Sequence, residues 1–246
     1  MKKQNFKKIQ NKNHPVYYQF IDNGSEETVV FLHGLFSTSS IFRHCLKAIK
    51  KNIILIELRG IVYSKCKSPY LNNYVEDIRL ILEKEKITKK VILVGYSLGC
   101  SIANEFAEHH SEMADKIIML APVNKTFRQI GKRNLIKTLI TGLGKSFFRK
   151  WKEYLRLERR QPFYKLFSLF NFKLLKDIYR EMIFTQKCKI VILNGKLDTF
   201  FNYQDSNLKL PNIVHEQIEN LDHFLFIRTQ RAKTIAEQLK IHLTTV

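Results

Sequence analysis

VILVGYSLGC, from Val91 to Cys100, is an apolar run that a Gly-x-Ser-x-Gly pentapeptide interrupts. The run is too short to span a membrane. An apolar segment followed by helical spacing predicts a buried strand, a sharp turn at Ser97 and a helix. A serine at such a turn takes a strained backbone conformation, and side chains at Gly95 and Gly99 would clash where the chain crosses itself. The turn lifts the Ser97 hydroxyl clear of the sheet, which suits a nucleophile.

The same pentapeptide also arises by chance in strand-to-helix connections, so a catalytic interpretation needs further residues. A base, an acid and a second oxyanion donor must appear where the fold requires them. The helix after Ser97 supplies one part, because its first N–H groups and the positive end of its dipole point at charge that develops beside Ser97.

Alternating strand-like and helix-like segments make up most of the 246-residue chain. That length can bury one good-sized core, and the alternation predicts one α/β domain with a mostly parallel sheet. Ligands are expected at the carboxyl ends of its strands. Strands are predicted at 6–9, 16–21, 28–32, 52–58, 91–94, 116–122, 189–195 and 213–218. Helices are predicted at about 40–50 and 74–85, after Ser97, and at about 229–242.

The alternation stops at about Asn124, where a helical, aromatic and basic segment precedes the strand at 189–195. This pattern predicts a helical cap, or lid, of residues 124–185 inserted into a core of residues 1–123 and 186–246. Sixteen Lys and Arg against four acidic residues give the cap +12 of the net charge of +20. Its amphipathic helices favour a lid that lines an acyl-chain tunnel and meets an anionic lipid surface. The alternative is that these apolar faces only pack on the core while the lysines face solvent.

A net charge of +20 and a pI near 9.8 suggest an anionic partner. Lys, Asn and Ile are nevertheless abundant along the whole chain, as an AT-rich genome would dictate, so codon bias is the alternative explanation of the charge. Nucleic acid is not expected, because no nucleic-acid-binding motif occurs and the cap aromatics follow the spacing of helical burial. An anionic membrane surface is therefore the candidate partner for the basic cap.

Neither secretion nor a disulfide framework is expected. The N-terminus is basic but lacks the apolar region of a signal peptide, and no run of about 18 apolar residues occurs, which predicts a cytoplasmic protein. The cysteines are scattered without metal-ligand spacing and are expected to be reduced thiols in or near the core. They are Cys45, Cys66, Cys100 and Cys188. No metal and no cofactor is predicted.

Motifs at the ends of the predicted strands resemble those of the α/β-hydrolase superfamily, specifically its serine esterase and lipase branch. Residues 33–34 (HG) resemble the family's oxyanion loop, 57–60 (ELRG) its Asp-x-Arg-Gly segment and 95–99 (GYSLG) its nucleophile elbow. Residues 194–198 (NGKLD) and 221–224 (LDHF) resemble its acid and base loops. The resemblance covers nearly the whole chain outside the cap. It implies the α/β-hydrolase fold, with a mostly parallel eight-stranded sheet flanked by helices.

A serine hydroxyl is a poor nucleophile unless a base removes its proton during attack, and the resemblance makes His223 that base. Asp198 follows the penultimate predicted strand, where the family places the acid that orients the imidazole and stabilises its cation. The chain order Ser97, Asp198, His223 agrees with the fold.

Rival residues fit these roles less well. Asp222 is adjacent to His223 in the chain and is poorly placed to orient its neighbour's ring. Some relatives carry the acid after the preceding strand, but residues 122–124 read PVN and hold no carboxylate. His33 is expected to shape the oxyanion loop. The other histidines have no motif context and are expected at the surface or at helix ends; they are His14, His44, His109, His110, His215 and His242.

The oxyanion hole is expected to combine two backbone N–H groups. The resemblance assigns one to Leu98, the residue after the nucleophile, and the other to Leu35, with Phe36 as the fallback. Each such donor is worth roughly 2.7–4 kcal/mol of transition-state stabilisation.

These residues predict a serine hydrolase, esterase- or lipase-like, that cleaves carboxylic esters with an apolar acyl group through a Ser-Asp-His triad and an acyl-enzyme intermediate. The expected partner is a small-molecule ester or lipid substrate. A thioesterase or an aminopeptidase uses the same triad and stays an alternative within enzymes. A non-catalytic module that binds a lipid surface is the alternative from another class.

Overall fold

The computed structural model describes residues 6–12, 14–34, 37–47, 49–59, 70–123, 182–198, 206–223 and 229–244. The predicted cap lies outside the described residues except at its last four positions, so the cap and the domain boundaries stay predictions.

Eight strands form one sheet in the described part of the chain. They are β1 (Lys7–Asn11), β2 (His14–Ile21), β3 (Thr28–Leu32), β4 (Asn52–Glu57), β5 (Val91–Tyr96), β6 (Ala114–Leu120), β7 (Lys189–Gly195) and β8 (Ile213–Ile218). Their spatial order is β1-β2-β4-β3-β5-β6-β7-β8. β2 is antiparallel to both of its neighbours, and every other pairing is parallel. The prediction of a mostly parallel eight-stranded sheet flanked by helices is confirmed.

Four α-helices are described: α1 (Arg43–Leu46), α2 (Leu71–Lys84), α3 (Leu98–His109) and α4 (Thr229–Thr244). Short 3₁₀ turns lie at Ser39–Phe42 and Ser206–Lys209. None of the described helices has the length and apolar character needed to cross a membrane.

Two helices differ from their predicted bounds. The predicted helix at 40–50 is a 3₁₀ turn followed by the four-residue α1, because the chain turns after Leu46 and its carbonyl accepts the N–H of Ile49, which is buried. Helix α2 begins at Leu71 instead of at about residue 74. The side chain of Asn73 accepts the N–H of Tyr70 there at 3.0 Å and so fixes the start of the helix.

The central strands are buried on both faces, which explains why they read as continuous apolar runs. Val30 and Leu93 belong to the core cluster on the side of α2 and α3. Phe31 and Val94 belong to the cluster on the side of α1 and α4. Neighbouring residues of one strand thus face opposite layers, as a period of two requires.

The carboxyl ends of the parallel strands meet at one edge of the sheet. β3 leads there into His33, β5 into Ser97, β7 into the turn that ends at Asp198, and β8 into the loop that ends at His223. The sheet topology therefore brings together segments that lie far apart in the sequence.

Candidate active site

Ser97 occupies a strained turn between the end of β5 and the start of α3. Its φ is 52° and its ψ is −113°, a conformation that costs a non-glycine residue roughly 1–3 kcal/mol. Two backbone hydrogen bonds hold the turn: the Ser97 N–H donates to the Leu120 carbonyl at 3.0 Å, and the Cys100 N–H donates to the Ser97 carbonyl at 2.9 Å. Ser97 is half-buried, whereas the residues on either side of it are buried. The predicted strained turn is thus present, and it leaves Ser97 more exposed than the residues on either side of it.

The two glycines of the pentapeptide lie where the backbone crosses itself. A Cβ added to Gly95 would lie 2.4 Å from the Gly99 carbonyl oxygen, and one added to Gly99 would lie 2.0 Å from the Leu32 carbonyl oxygen. Both distances are far inside van der Waals contact, and the obstructing atoms are backbone. The clash expected from the sequence is confirmed, and Gly99 sets how closely α3 approaches the end of β3.

Gly99→Ala is expected to lower the free energy of unfolding by about 3 kcal/mol, the upper end of the usual cost of overpacking. Helix propensity alone predicts the opposite sign, because alanine in a helix is favoured over glycine by about 1 kcal/mol. The backbone oxygen of Leu32, 2.0 Å from the new Cβ, cannot move without displacing β3. Urea unfolding of the variant and the wild type measures the difference.

Gly24→Ala is the control for this change. An added Cβ at Gly24 meets no atom within 4 Å, but its φ of 71° is unfavourable for alanine. The expected cost is therefore about 1–2 kcal/mol of backbone strain. A Gly99→Ala variant as stable as the wild type would contradict the close approach of α3 to β3.

The structure brings the three predicted triad side chains into one relay. Ser97 Oγ lies 3.0 Å from His223 Nε2, and His223 Nδ1 lies 3.1 Å from Asp198 Oδ2. An ionised carboxylate only accepts hydrogen bonds, so Nδ1 carries the imidazole proton and donates it to Asp198. Nε2 is then the acceptor for the Ser97 hydroxyl. The geometry is that of a nucleophile, a base and an orienting acid.

The Asp198 carboxylate is fully buried, and His223 is 8% exposed. A buried carboxylate needs hydrogen-bonding partners, since leaving it unpaired away from water is costly. The bond to His223 therefore stabilises the buried carboxylate of Asp198 as well as orienting the imidazole.

Backbone contacts join the turn that carries Asp198 to the loop that carries His223. The Asp198 N–H donates to the Gly195 carbonyl at 2.9 Å, which closes the turn. The Leu197 N–H donates to the Leu221 carbonyl at 2.8 Å. A Cβ on Gly195 would lie 2.1 Å from that same carbonyl oxygen, so the glycine is needed for the two segments to touch.

The rival acid, Asp222, points elsewhere. Its Oδ1 accepts a hydrogen bond from Arg231 Nη1 on α4 at 2.7 Å, and its side chain is 40% exposed. Asp198 and not Asp222 thus contacts the His223 ring nitrogen. The sequence gives no local sign of the Arg231 contact, because the two residues meet only when α4 packs against the sheet.

The loop after β3 passes directly beside the nucleophile. A Cβ added to Gly34 would lie 3.2 Å from the Ser97 Cβ. His33 is completely buried, its Nε2 accepts the Leu58 N–H at 3.1 Å, and its Nδ1 donates to the Gly34 carbonyl at 2.8 Å. His33 therefore fastens this loop to the end of β4.

Of the two predicted oxyanion donors, Leu98 is the first residue of α3, where the helix leaves its N–H groups without intrahelical acceptors. Leu35 and its fallback Phe36 lie outside the described residues. The segment that follows them is anchored by Glu57, whose Oε1 accepts the Ser39 N–H at 3.1 Å and also the Ser39 hydroxyl. This anchor was not foreseen from the sequence; a carboxylate at the end of an otherwise apolar strand is its only sign.

The remaining histidines divide into surface and half-buried residues. His44, His109 and His110 contact charged or backbone groups of their own helical regions, as expected from the sequence. His215 differs, because it is half-buried on β8 and its Nε2 lies 2.5 Å from Asn194 Oδ1. Burial lowers the pKa of His215. Asn194 in turn donates to the Gly195 carbonyl at 3.0 Å, so His215 supports the turn that carries Asp198.

A sheet of this strand order, with a serine at a strained turn after β5 and an acid and a histidine after β7 and β8, is the arrangement of an α/β hydrolase. The chain has the α/β-hydrolase fold. The family model described as "alpha/beta hydrolase fold" matches residues 27–135, which include the loop after β3 and the strained turn.

Curated relatives match part of the chain. A Mycoplasma pneumoniae protein provisionally named esterase/lipase 2 is 28% identical over 130 residues, which are 50% of this chain and 48% of that protein. Ethanol acetyltransferase 1 of Eremothecium cymbalariae is 32% identical over 108 residues, 41% of this chain and 30% of that protein. The chain thus matches about half, or less, of the length of these relatives.

Solved structures match over nearly the whole chain at low sequence identity. An esterase from Exiguobacterium antarcticum has a TM-score of 0.73 and 16% identity, covering 97% of this chain and 99% of its own. A carboxylesterase structure from the archaeon Nitrososphaera gargenis has a TM-score of 0.70 and 18% identity, covering 98% and 100%. At such identities the likeness establishes the fold.

Proposed function

We propose that this protein is a serine hydrolase that cleaves carboxylic esters. The observation that carries the proposal is the relay from Ser97 Oγ through His223 to Asp198, with distances of 3.0 and 3.1 Å. A nucleophile bonded to a base, and a base bonded to an orienting acid, are the groups that acyl transfer requires. Similarity to proteins named as esterases and lipases supports the same reaction class.

In the proposed reaction Ser97 Oγ attacks the ester carbonyl while His223 Nε2 takes the hydroxyl proton. Asp198 holds the imidazole in the Nδ1–H tautomer and stabilises the imidazolium that forms. His223 then gives the proton to the departing alkoxide, so an alcohol leaves and Ser97 is acylated. A water molecule, deprotonated by His223, attacks the acyl group and releases the carboxylic acid with Ser97 restored.

The negative charge on the carbonyl oxygen needs donors during both attacks. The Leu98 N–H at the start of α3 supplies one, and the helix dipole adds to it. We assign the second to the N–H of Leu35. The residue before it, Gly34, lies against Ser97. Both donors are backbone groups, so side-chain substitution at these positions leaves the donors in place.

The acyl group is proposed to be apolar, and the segment of residues 124–185 is proposed to cover it. The support comes from the sequence of that segment, which combines amphipathic helical spacing with a net charge of +12. The same basic residues would favour an anionic lipid surface over a neutral one.

The test is turnover of a p-nitrophenyl ester series from short to long acyl chains, with a fluorophosphonate label in parallel. Turnover together with a single labelled peptide containing Ser97 is the expected result. Acyl-thioesters and aminoacyl amides run beside the esters decide among esterase, thioesterase and aminopeptidase, because all three use the same relay. A folded protein that neither turns over any of these substrates nor takes the label would overturn the proposal.

A further inference from the structure

Tyr96 is the last residue of β5 and immediately precedes the nucleophile. It is buried, and its hydroxyl donates a hydrogen bond to the backbone carbonyl of His223 at 3.0 Å. The two rings lie 6.0 Å apart between centroids, with planes inclined by 31°. One side chain thus connects the strand that presents Ser97 to the backbone of the histidine that contacts it.

The two reacting groups of the relay come from distant parts of the chain. Ser97 and His223 are 126 residues apart, and Ser97 Oγ lies 3.0 Å from His223 Nε2. The loop that carries His223 is also tied by the Leu197 N–H and by Arg231, but those bonds act on Leu221 and Asp222. The Tyr96 bond acts on His223 itself.

The Tyr96 ring has little freedom to move. A Cβ added to Gly34 would lie 3.1 Å from Tyr96 Cδ1, so the ring packs against the loop after β3 on one side. Its hydroxyl is held at the other end by the carbonyl of His223. Burial, followed by the negative charges of Asp198 and Asp222, raises the pKa of Tyr96. The hydroxyl therefore stays a neutral donor over the whole range in which an ester hydrolase is assayed.

We propose that Tyr96 is a positioning residue, whose hydroxyl holds the His223 backbone so that Nε2 stays within hydrogen-bond distance of Ser97 Oγ. The inference rests on the proposed hydrolase function. In this role Tyr96 acts through His223. Residue 96 is one of the two variable positions of the Gly-x-Ser-x-Gly motif, so the motif itself does not reveal this role.

The experiment compares Tyr96→Phe with the wild type on a p-nitrophenyl ester. Phenylalanine keeps the ring between its neighbours and removes only the hydroxyl. We expect kcat to fall about 10- to 100-fold, because a misplacement of about 1 Å in a catalytic group has effects of that size. KM is expected to change less than about threefold, and the rate of fluorophosphonate labelling at Ser97 is expected to fall with kcat.

Tyr74→Phe is the matched control. The Tyr74 hydroxyl is also buried and also donates to a backbone carbonyl at 3.0 Å, that of Arg59. Both variants therefore lose the same kind of bond and are expected to show similar shifts in melting temperature. Of the two variants, only Tyr96→Phe is expected to have a lower kcat than the wild type. Incorporation of p-aminophenylalanine at position 96, which restores a donor, is expected to recover part of the lost rate.

The outcomes separate the inference from the function on which it rests. A wild-type protein without turnover or labelling would remove the proposed function. An active wild type with a Tyr96→Phe variant of unchanged kcat would overturn the positioning role alone. Equal losses of kcat in Tyr96→Phe and Tyr74→Phe would assign the effect to general stability and would also overturn it. If Tyr96→Phe fails to fold, the p-aminophenylalanine variant decides, because full loss of kcat in that folded protein contradicts the role.

Discussion

Ester hydrolysis by Ser97→Ala is expected to fall by about five to six orders of magnitude in kcat, with the fold intact. The substitution removes the Oγ that forms the acyl intermediate in the proposed mechanism. The residual rate over water comes from the oxyanion donors and from substrate binding. The measurement is kcat/KM on a p-nitrophenyl ester, together with loss of fluorophosphonate labelling.

The folded state of this variant should match that of the wild type. Alanine keeps the Cβ at φ = 52°, so the strain of the turn is unchanged, and the backbone bonds from Ser97 to Leu120 and from Cys100 to Ser97 remain. Circular dichroism and urea unfolding check this. Loss of activity without loss of stability separates a chemical role from a structural one.

Ser101→Ala is the control for the loss of a serine. Ser101 lies on α3, one turn beyond the nucleophile, and alanine is a better helix former than serine. We expect it to keep kcat within about twofold. Ester turnover at the wild-type rate in Ser97→Ala would rule out the proposed mechanism, whatever the other variants show.

The sheet could be predicted from the sequence because its central strands are short apolar runs between helical segments. Burial on both faces makes such runs continuous, and β3, β4 and β5 were placed within a residue or two. The crossing at Gly95 and Gly99 was also predictable, because a side chain at either position would clash with the backbone that passes beside it. In these regions the structure follows from the residues of the segment itself.

The contacts that hold the site were not predictable in the same way. Three contacts each join segments that are brought together only by packing of the sheet. They are Tyr96 with His223, Glu57 with Ser39, and Arg231 with Asp222. Each partner has an ordinary local role as a strand, loop or helix residue. No periodicity or spacing marks them, so they appear only when the three-dimensional structure places them side by side.

The choice between Asp198 and Asp222 shows where sequence and structure contribute differently. Chain order and resemblance favoured Asp198 as the acid. The distance of 3.1 Å to His223 Nδ1, and the turning of Asp222 toward Arg231, add a physical reason for the same choice. The catalytic role of Asp198 stays a prediction that two matched substitutions can test.

Asp198→Asn is expected to lower kcat by about 10⁴-fold. The amide is nearly the same size as the carboxylate but carries N–H donors, so it can present a donor to Nδ1. The imidazole then takes the Nε2–H tautomer and cannot accept the Ser97 proton. The neutral amide also removes the negative charge that stabilises the imidazolium. Measurement of kcat over a pH series on one ester substrate shows the loss.

Asp222→Asn makes the same chemical change one residue away from the base. Its bond to Arg231 is half-exposed, and ion pairs of that kind contribute at most about 1 kcal/mol. We expect kcat to stay within about threefold of the wild type. If the two effects were reversed, with Asp222→Asn inactive and Asp198→Asn active, the acid would have to be Asp222. The His223 ring would then have to turn away from Asp198, breaking the 3.1 Å bond that now satisfies a fully buried carboxylate. Loss of a hydrogen bond by a buried carboxylate is costly, which is why the structure favours Asp198.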